Sequence, residues 1–295
     1  MSLIGDRWST LCIGIIGIST LVAVAACQVS QRSLTPCSQR YALMASATPV
    51  DDGGNVVDSL RSAFGVEGAW GLDRNLSLAE PSSTSDRLAW RITFPAGTSA
   101  PSDGGTGGAG FSTRPPGWHP SDRACLSYRL RFPADFDFVR GGKLPGLYGG
   151  SAPSGGDKVT GDNGFSLRFM WREGGAGELY AYVLEPAAQG DYGSSLGRGQ
   201  WDFAKGRWQR LELEVVLNRV GHDDGVLRVW LDGKAVLEHR QVVFRTRSDL
   251  LLDGIMFSTF FGGHGPAWRS PRDQFIDFSD FRLLGPAKAM GGVQP

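Results

Sequence analysis

The sequence predicts an all-β protein, a sandwich of two antiparallel sheets, and three observations carry that prediction. Short stretches of apolar/polar alternation recur from residue 88 to residue 283, as half-buried strands require. The 42 glycines and 16 prolines interrupt the chain too often for long helices. Many short amphipathic strands bury their apolar sides most economically when two sheets face each other.

Taken in order, Leu88–Phe94 and Cys125–Phe132 read as strands that each stop at a proline. Leu211–Leu217 alternates leucine with glutamate, and Val226–Leu231 is followed by the turn Asp232-Gly233 and the strand Ala235–Leu237. Gly254–Phe261 and Phe275–Leu283 complete the set. In the middle of the chain Phe165, Leu167, Phe169 and Trp171 fall on one side of a strand, and Ser166, Arg168, Met170 and Arg172 on the other. After Glu173–Gly177 the return strand alternates Leu179, Ala181 and Val183 with Glu178, Tyr180, Tyr182 and Leu184. Matching the apolar sides sets Met170 opposite Tyr180 and Arg168 opposite Tyr182. A slip of one residue would turn both tyrosines into the core. The run Gly141-Gly-Lys-Leu-Pro-Gly146 reads as a stiff turn that holds Lys143 beside this hairpin rather than as a strand.

Arg7 precedes an apolar run, Leu11–Ala26, with small residues at its exit, so residues 1–26 read as an export signal. The run is short for a membrane span. Cys27 after Val24-Ala25-Ala26 resembles a bacterial lipobox, which points to a secreted or cell-surface protein lipidated at Cys27. A signal anchor and an ordinary cleaved signal stay open. Residues 27–55 read as a flexible leader, 56–287 as one β domain and 288–295 as a tail. With Cys12 and Cys27 accounted for, Cys37 and Cys125 remain; a bridge, or a buried Cys125 with an unpaired Cys37, both fit.

Thirty basic and thirty acidic residues cancel, which removes any general drive toward nucleic acid. The glycine run lacks the Gly-Lys-Ser/Thr ending of a phosphate loop. Four histidines show no chelating spacing, so no metal or other cofactor is expected, and the chain reads as a monomer. Asp223-Asp224 reads as a solvated turn. Trp118 and Trp268 fit sugar stacking and core capping equally.

A concave sheet face with Lys143, Arg168 and Arg172 suits an acidic polysaccharide, because guanidinium forks match carboxylates and tyrosine adds ring surface. Simple binding and β-elimination both fit such a face. In elimination, cations stabilise charge developing beside the uronate carboxylate, while a base removes the C5 proton and an acid protonates O4. A tyrosine base needs nearby cations to pull its pKa below about 10. Hydrolysis fits poorly, since it calls for two carboxylates roughly 5 to 10 Å apart. Glu178 reads instead as the partner that orients Arg172.

The blocks Gly141–Gly150, Phe165–Arg172 and Glu178–Val183 closely resemble alginate lyases of polysaccharide lyase family 14, and the resemblance runs through most of the chain after about residue 60. It implies a β-jelly-roll with a concave groove and a metal-independent elimination that leaves an unsaturated uronate. It carries over Lys143, Arg168, Tyr180 and Tyr182 as the catalytic set, with a tyrosine as proton donor and acceptor and Lys143 and Arg168 supporting substrate and charge, and Ser166 as a groove residue. Arg140, Arg172, His119 and Glu178 are expected around the substrate, with His264 at a groove edge. One segment departs from the family pattern: Gly110 and Ser112 stand where larger polar and aromatic residues are expected. That departure leaves alginate, glucuronan and a non-catalytic binding role all open.

Overall fold

Two antiparallel sheets carry the molecule, as a computed structural model describes for residues 35–66, 68–81, 87–103, 106–186 and 192–286. The export signal, Cys27 and the tail at 288–295 lie outside the described residues. In chain order the strands are β1 (Ala42–Ala47), β2 (Leu76–Ala79), β3 (Ala89–Phe94), β4 (Ala109–Thr113), β5 (Arg123–Arg131), β6 (Gly141–Gly150) and β7 (Gly164–Arg172). They continue with β8 (Gly177–Tyr182), β9 (Ser194–Leu196), β10 (Trp208–Val216), β11 (Gly225–Leu231), β12 (Lys234–Val242), β13 (Gly254–Phe261) and β14 (Gln274–Gly285). The outer sheet has the order β12-β11-β10-β5-β14-β3-β2, with β1 also paired to β14, and the inner sheet β4-β13-β6-β7-β8-β9. This is the two-sheet sandwich that the alternation predicts.

Between the sheets lies an aromatic core. Phe165, Leu167, Phe169 and Trp171 of β7 are fully buried against the outer sheet's residues, as their shared parity requires. Trp171 meets Phe94, Phe132 and Phe136 edge-on, the arrangement that the ring quadrupoles favour. Helix α1 (Val56–Phe64) adds to this core. Asn55 caps its first turn by accepting from the Val57 and Asp58 amides, and Gly65 ends it with φ 66. Its apolar face buries Leu60 and Phe64, and Phe64 packs on Trp90, Phe111 and Phe281. Among the described residues no helix is long and apolar enough to cross a membrane.

Three local expectations are corrected. The glycine-rich run is a full ten-residue strand, β6, with a bulge between Leu144 and Gly146 where Pro145 has no amide to give the ladder. Gly146 is required there, since a Cβ would lie 1.7 Å from the Leu167 carbonyl oxygen. The leader is structured in its second half: β1 pairs with β14, and Cys37 is disulfide-bonded to Cys125 with Cα atoms 5.8 Å apart. Finally, the central hairpin pairs Arg168 with Tyr180 and Ser166 with Tyr182, two residues from the expected register. Its turn centres on Gly174, at φ 70, and closes when the Arg172 amide donates to the Ala176 carbonyl at 2.7 Å. An even shift preserves parity, so the tyrosines stay on the groove side.

Candidate active site

The groove side of the inner sheet forms a cleft of about 670 Å³. Its floor is made by Met256, Ser258 and Phe260 of β13, Lys143 of β6, Arg168, Met170 and Arg172 of β7, and Tyr180 and Tyr182 of β8. Trp70, Ala100–Ser102, His264 and Trp268 line it as well, as do Ser154, Gly155 and Tyr192. Strand pairing positions the central lysine: Lys143 lies in register with Met170 on one side and Phe260 on the other.

Lys143 is buried, and its Nζ sits 2.8 Å from Met170 Sδ and 3.3 Å from the centroid of the Tyr180 ring. Burial drives its pKa well below the ordinary lysine value, and the nearby Arg168 and Arg172 charges push in the same direction. The charge of Glu178 opposes the shift without reversing it. Arg168 is 4 % exposed, its Nε has no hydrogen-bond partner, and burial lowers its pKa. Glu178 neutralises neither residue directly. It is fully buried and already holds Arg172 at 2.5 Å, Arg198 at 2.6 Å and the Ser195 hydroxyl at 2.6 Å. The cleft therefore holds desolvated nitrogen groups that lack an anion.

Burial raises the pKa of the Tyr180 phenol to about 12, charge interactions with the Tyr182 phenol and Glu178 add to the rise, and Arg172 and Arg168 only partly offset it. The expected cation-lowered tyrosine is thus corrected for Tyr180: desolvation wins, and the group is a protonated phenol. Tyr182 meets Tyr180 edge-on at 5.8 Å, and its hydroxyl accepts from the Gly156 amide at 3.1 Å.

The structure brings Lys143, Arg168, Arg172, Tyr180 and Tyr182 together, with Glu178 beneath them as the orienting partner of Arg172. Others of the expected set stand elsewhere. Ser166 is on the correct side of β7 but fully buried, donating to the Pro153 carbonyl at 2.5 Å; it pins the 151–163 loop and does not line the cleft. His119 is exposed on the segment between β4 and β5, outside the cleft, because Trp118 turns inward to donate to the Leu252 carbonyl. Arg140 is exposed at the rim, with its guanidinium 6.0 Å from the Trp268 ring. Met170 and Trp70 went unassigned in the sequence. Parity placed Met170 on the groove face, whereas Trp70 follows no periodic strand, and only the gap at Gly110 hinted at it.

Among the described residues, the side chains of metal-binding type that cluster are Cys37, Cys125 and Glu212. Two of these are the disulfide, whose sulfurs offer no thiolate to a cation.

The polysaccharide lyase 14 profile matches residues 82–281. The chain belongs to polysaccharide lyase family 14. A solved alginate lyase of this family from Aplysia kurodai is 32 % identical, superposes with a TM-score of 0.73, and the match covers 83 % of this chain and 99 % of that one. Alginate lyase vAL-1 from a Chlorella virus shares the fold at 22 % identity and TM-score 0.66, over 82 % of this chain and 99 % of its own. An endo-β-1,4-glucuronan lyase from Trichoderma reesei shares it at 14 % identity and TM-score 0.53, over 82 % and 95 %. No curated protein matches the chain. This polysaccharide lyase is therefore an enzyme, and its two antiparallel sheets match the jelly-roll of the Aplysia kurodai enzyme.

Proposed function

We propose that this lyase cleaves a 1,4-linked polyuronate, alginate first, by β-elimination. One observation carries the reading: Lys143 and Arg168 are buried in an open cleft without a carboxylate partner, beside the protonated Tyr180. The desolvated Arg168 guanidinium favours the entry of an anion, and a uronate carboxylate supplies one at each sugar.

In the proposed step Arg168 clamps the carboxylate next to C5 and stabilises the enolate-like charge that develops on it. The amine of Lys143, held toward its neutral form, takes the C5 proton. The C5–H pair becomes the C4=C5 double bond, the C4–O4 pair leaves with O4, and Tyr180 gives O4 its proton. Lys143 then gives its proton to water in the open cleft and the Tyr180 phenolate takes one from it, which restores both groups. Arg172, fixed by Glu178, and Tyr182, fixed by Gly156, position the sugar. The pKa directions support this division of labour, since a useful base is tuned down and a useful acid stays protonated.

Incubation with alginate, polymannuronate, polyguluronate and glucuronan, followed by ultraviolet absorbance and product length, tests the proposal. Alginate-derived unsaturated products are expected; tight binding without any unsaturated product would mark a binding protein instead. Glucuronan belongs in the set because the small Gly110 alters one side of the cleft. The proposal extends to location and assembly: a monomer exported through the 1–26 segment, with Cys27 as its lipid attachment point. Mass spectrometry of the native N-terminus and light scattering check these two points.

A further inference from the structure

Gly110 leaves a space that is filled from elsewhere in the chain. Trp70, just ahead of helix α2 (Leu72–Asn75), pairs its backbone with Gly110 through two hydrogen bonds of 3.0 Å, at the β4 edge of the inner sheet. Its indole lies over the glycine: a Cβ on residue 110 would sit 2.5 Å from Nε1 and 2.6 Å from Cε2 and Cζ2. Any side chain at 110 would therefore displace the ring. The indole packs edge-on to Phe260 at 5.9 Å, is half-buried, and lines the cleft.

We propose that Trp70 is a sugar-stacking subsite, made by the Gly110–Trp70 exchange, for a uronate ring further along the polymer than the immediate neighbour of the one that reacts. The reading of the cleft as a polyuronate site is its premise. A half-exposed indole offers a flat apolar surface to the C–H face of a pyranose, and its edge contact with Phe260 keeps it in place. The register supplies the spacing. Gly110 pairs with Ser258 on β13, and β13 pairs with β6, where Lys143 lies. Two strand spacings separate β4 from β6, about 10 Å. Lys143 pairs with Phe260, two residues along β13 from Ser258, so a ring on Trp70 lies beyond the immediate neighbour of the ring at Lys143. The apolar contact is indifferent to carboxylate orientation, so Trp70 would hold the polymer while Arg168 reads its charge.

The test is calorimetric titration of saturated alginate and glucuronan oligomers of increasing length into the Lys143→Ala protein, in which turnover is expected to be lost. In that background Trp70→Ala is expected to raise Kd about tenfold for the longest oligomers, about 1.4 kcal/mol, and progressively less for shorter ones. Gly110→Ala, which keeps the tryptophan but displaces it, should give the same length-dependent loss, and Trp70→Phe should restore most of the affinity. In the turnover-competent enzyme the same changes should appear in KM more than in kcat. Unchanged Kd in Trp70→Ala, an equal loss at every length, or no oligomer binding in the parent would each overturn the subsite. Absence of unsaturated product from the wild type would sink the lyase reading, while the binding series would still decide the role of Trp70.

Discussion

The two faces that the sandwich turns to solvent use the same charged residues in opposite ways. On the outer sheet three acids are each shared between two arginines, while the buried Glu212 accepts from Ser38. Asp277, fully buried, lies in one row between Arg131 on β5 and Arg91 on β3 and bonds both at 2.8 Å. Asp280 joins Arg87 at 2.6 Å and Arg129 at 3.3 Å, and Glu214 joins Arg40 and Arg228, each at 2.8 Å. In the cleft, Lys143 and Arg168 are buried too, yet Glu178 is committed to Arg172 and Arg198. The first arrangement stabilises a fold, and the second leaves its electrostatics unfinished until substrate arrives. Stability and activity should therefore separate by face.

The largest separation is expected at Lys143. Lys143→Met should lower turnover about 10³-fold and leave the melting temperature unchanged or raised. The sign follows from its depressed pKa: between that value and the unfolded value of 10.5 the unfolded chain binds more protons, so stability rises with pH, and the variant removes this dependence. Calorimetric melts at several pH values, with turnover on alginate, check both halves. A destabilised Lys143→Met would break the contrast.

Next comes the pH profile. The kcat/KM should rise as Lys143 loses its proton, below the ordinary lysine range, and fall as Tyr180 ionises, near 12. Tyr180→Phe should lower turnover about 100-fold and erase the falling limb of whatever activity remains. A falling limb that survives in this variant would assign the acid elsewhere.

On the outer face, Asp277→Ala strands two guanidiniums and should cost about 3 kcal/mol of stability. Its kcat per folded molecule should match wild type. Denaturant melts alongside turnover measure the two quantities, and a matching collapse in kcat would mean that the faces are coupled. The smallest effect should come from Arg198→Ala, an exposed partner of Glu178: below about 1 kcal/mol in stability, with Arg172 still held.

The sequence carried this contrast only partly. Alternation placed β3, β5, β10, β11, β13 and β14, and parity alone put Arg168, Met170 and the two tyrosines on one face. Parity is robust because an error of two residues leaves it intact, as happened when the turn centred on Gly174. Ser166 shared the right face, but a neighbouring loop covers it, and no periodicity reports on what lies above a sheet. His119 and Arg140 were expected from loops, where sequence spacing says little about spatial reach. Tyr180 was misjudged electrostatically, since desolvation depends on neighbours that only the folded chain assembles. The pairing of Asp277 with two arginines was equally invisible, because it joins residues 91, 131 and 277.

The Cys37–Cys125 bridge gives the molecule a mechanical grain. Tension applied ahead of Pro36 meets this covalent link before it meets any hydrogen bond of β1, and passes straight into β5, inside the outer sheet. The sheet that takes the strain is the one reinforced by shared carboxylates. The sheet that holds Lys143 and Tyr180 meets a pull from that end only through the core it shares with the outer sheet.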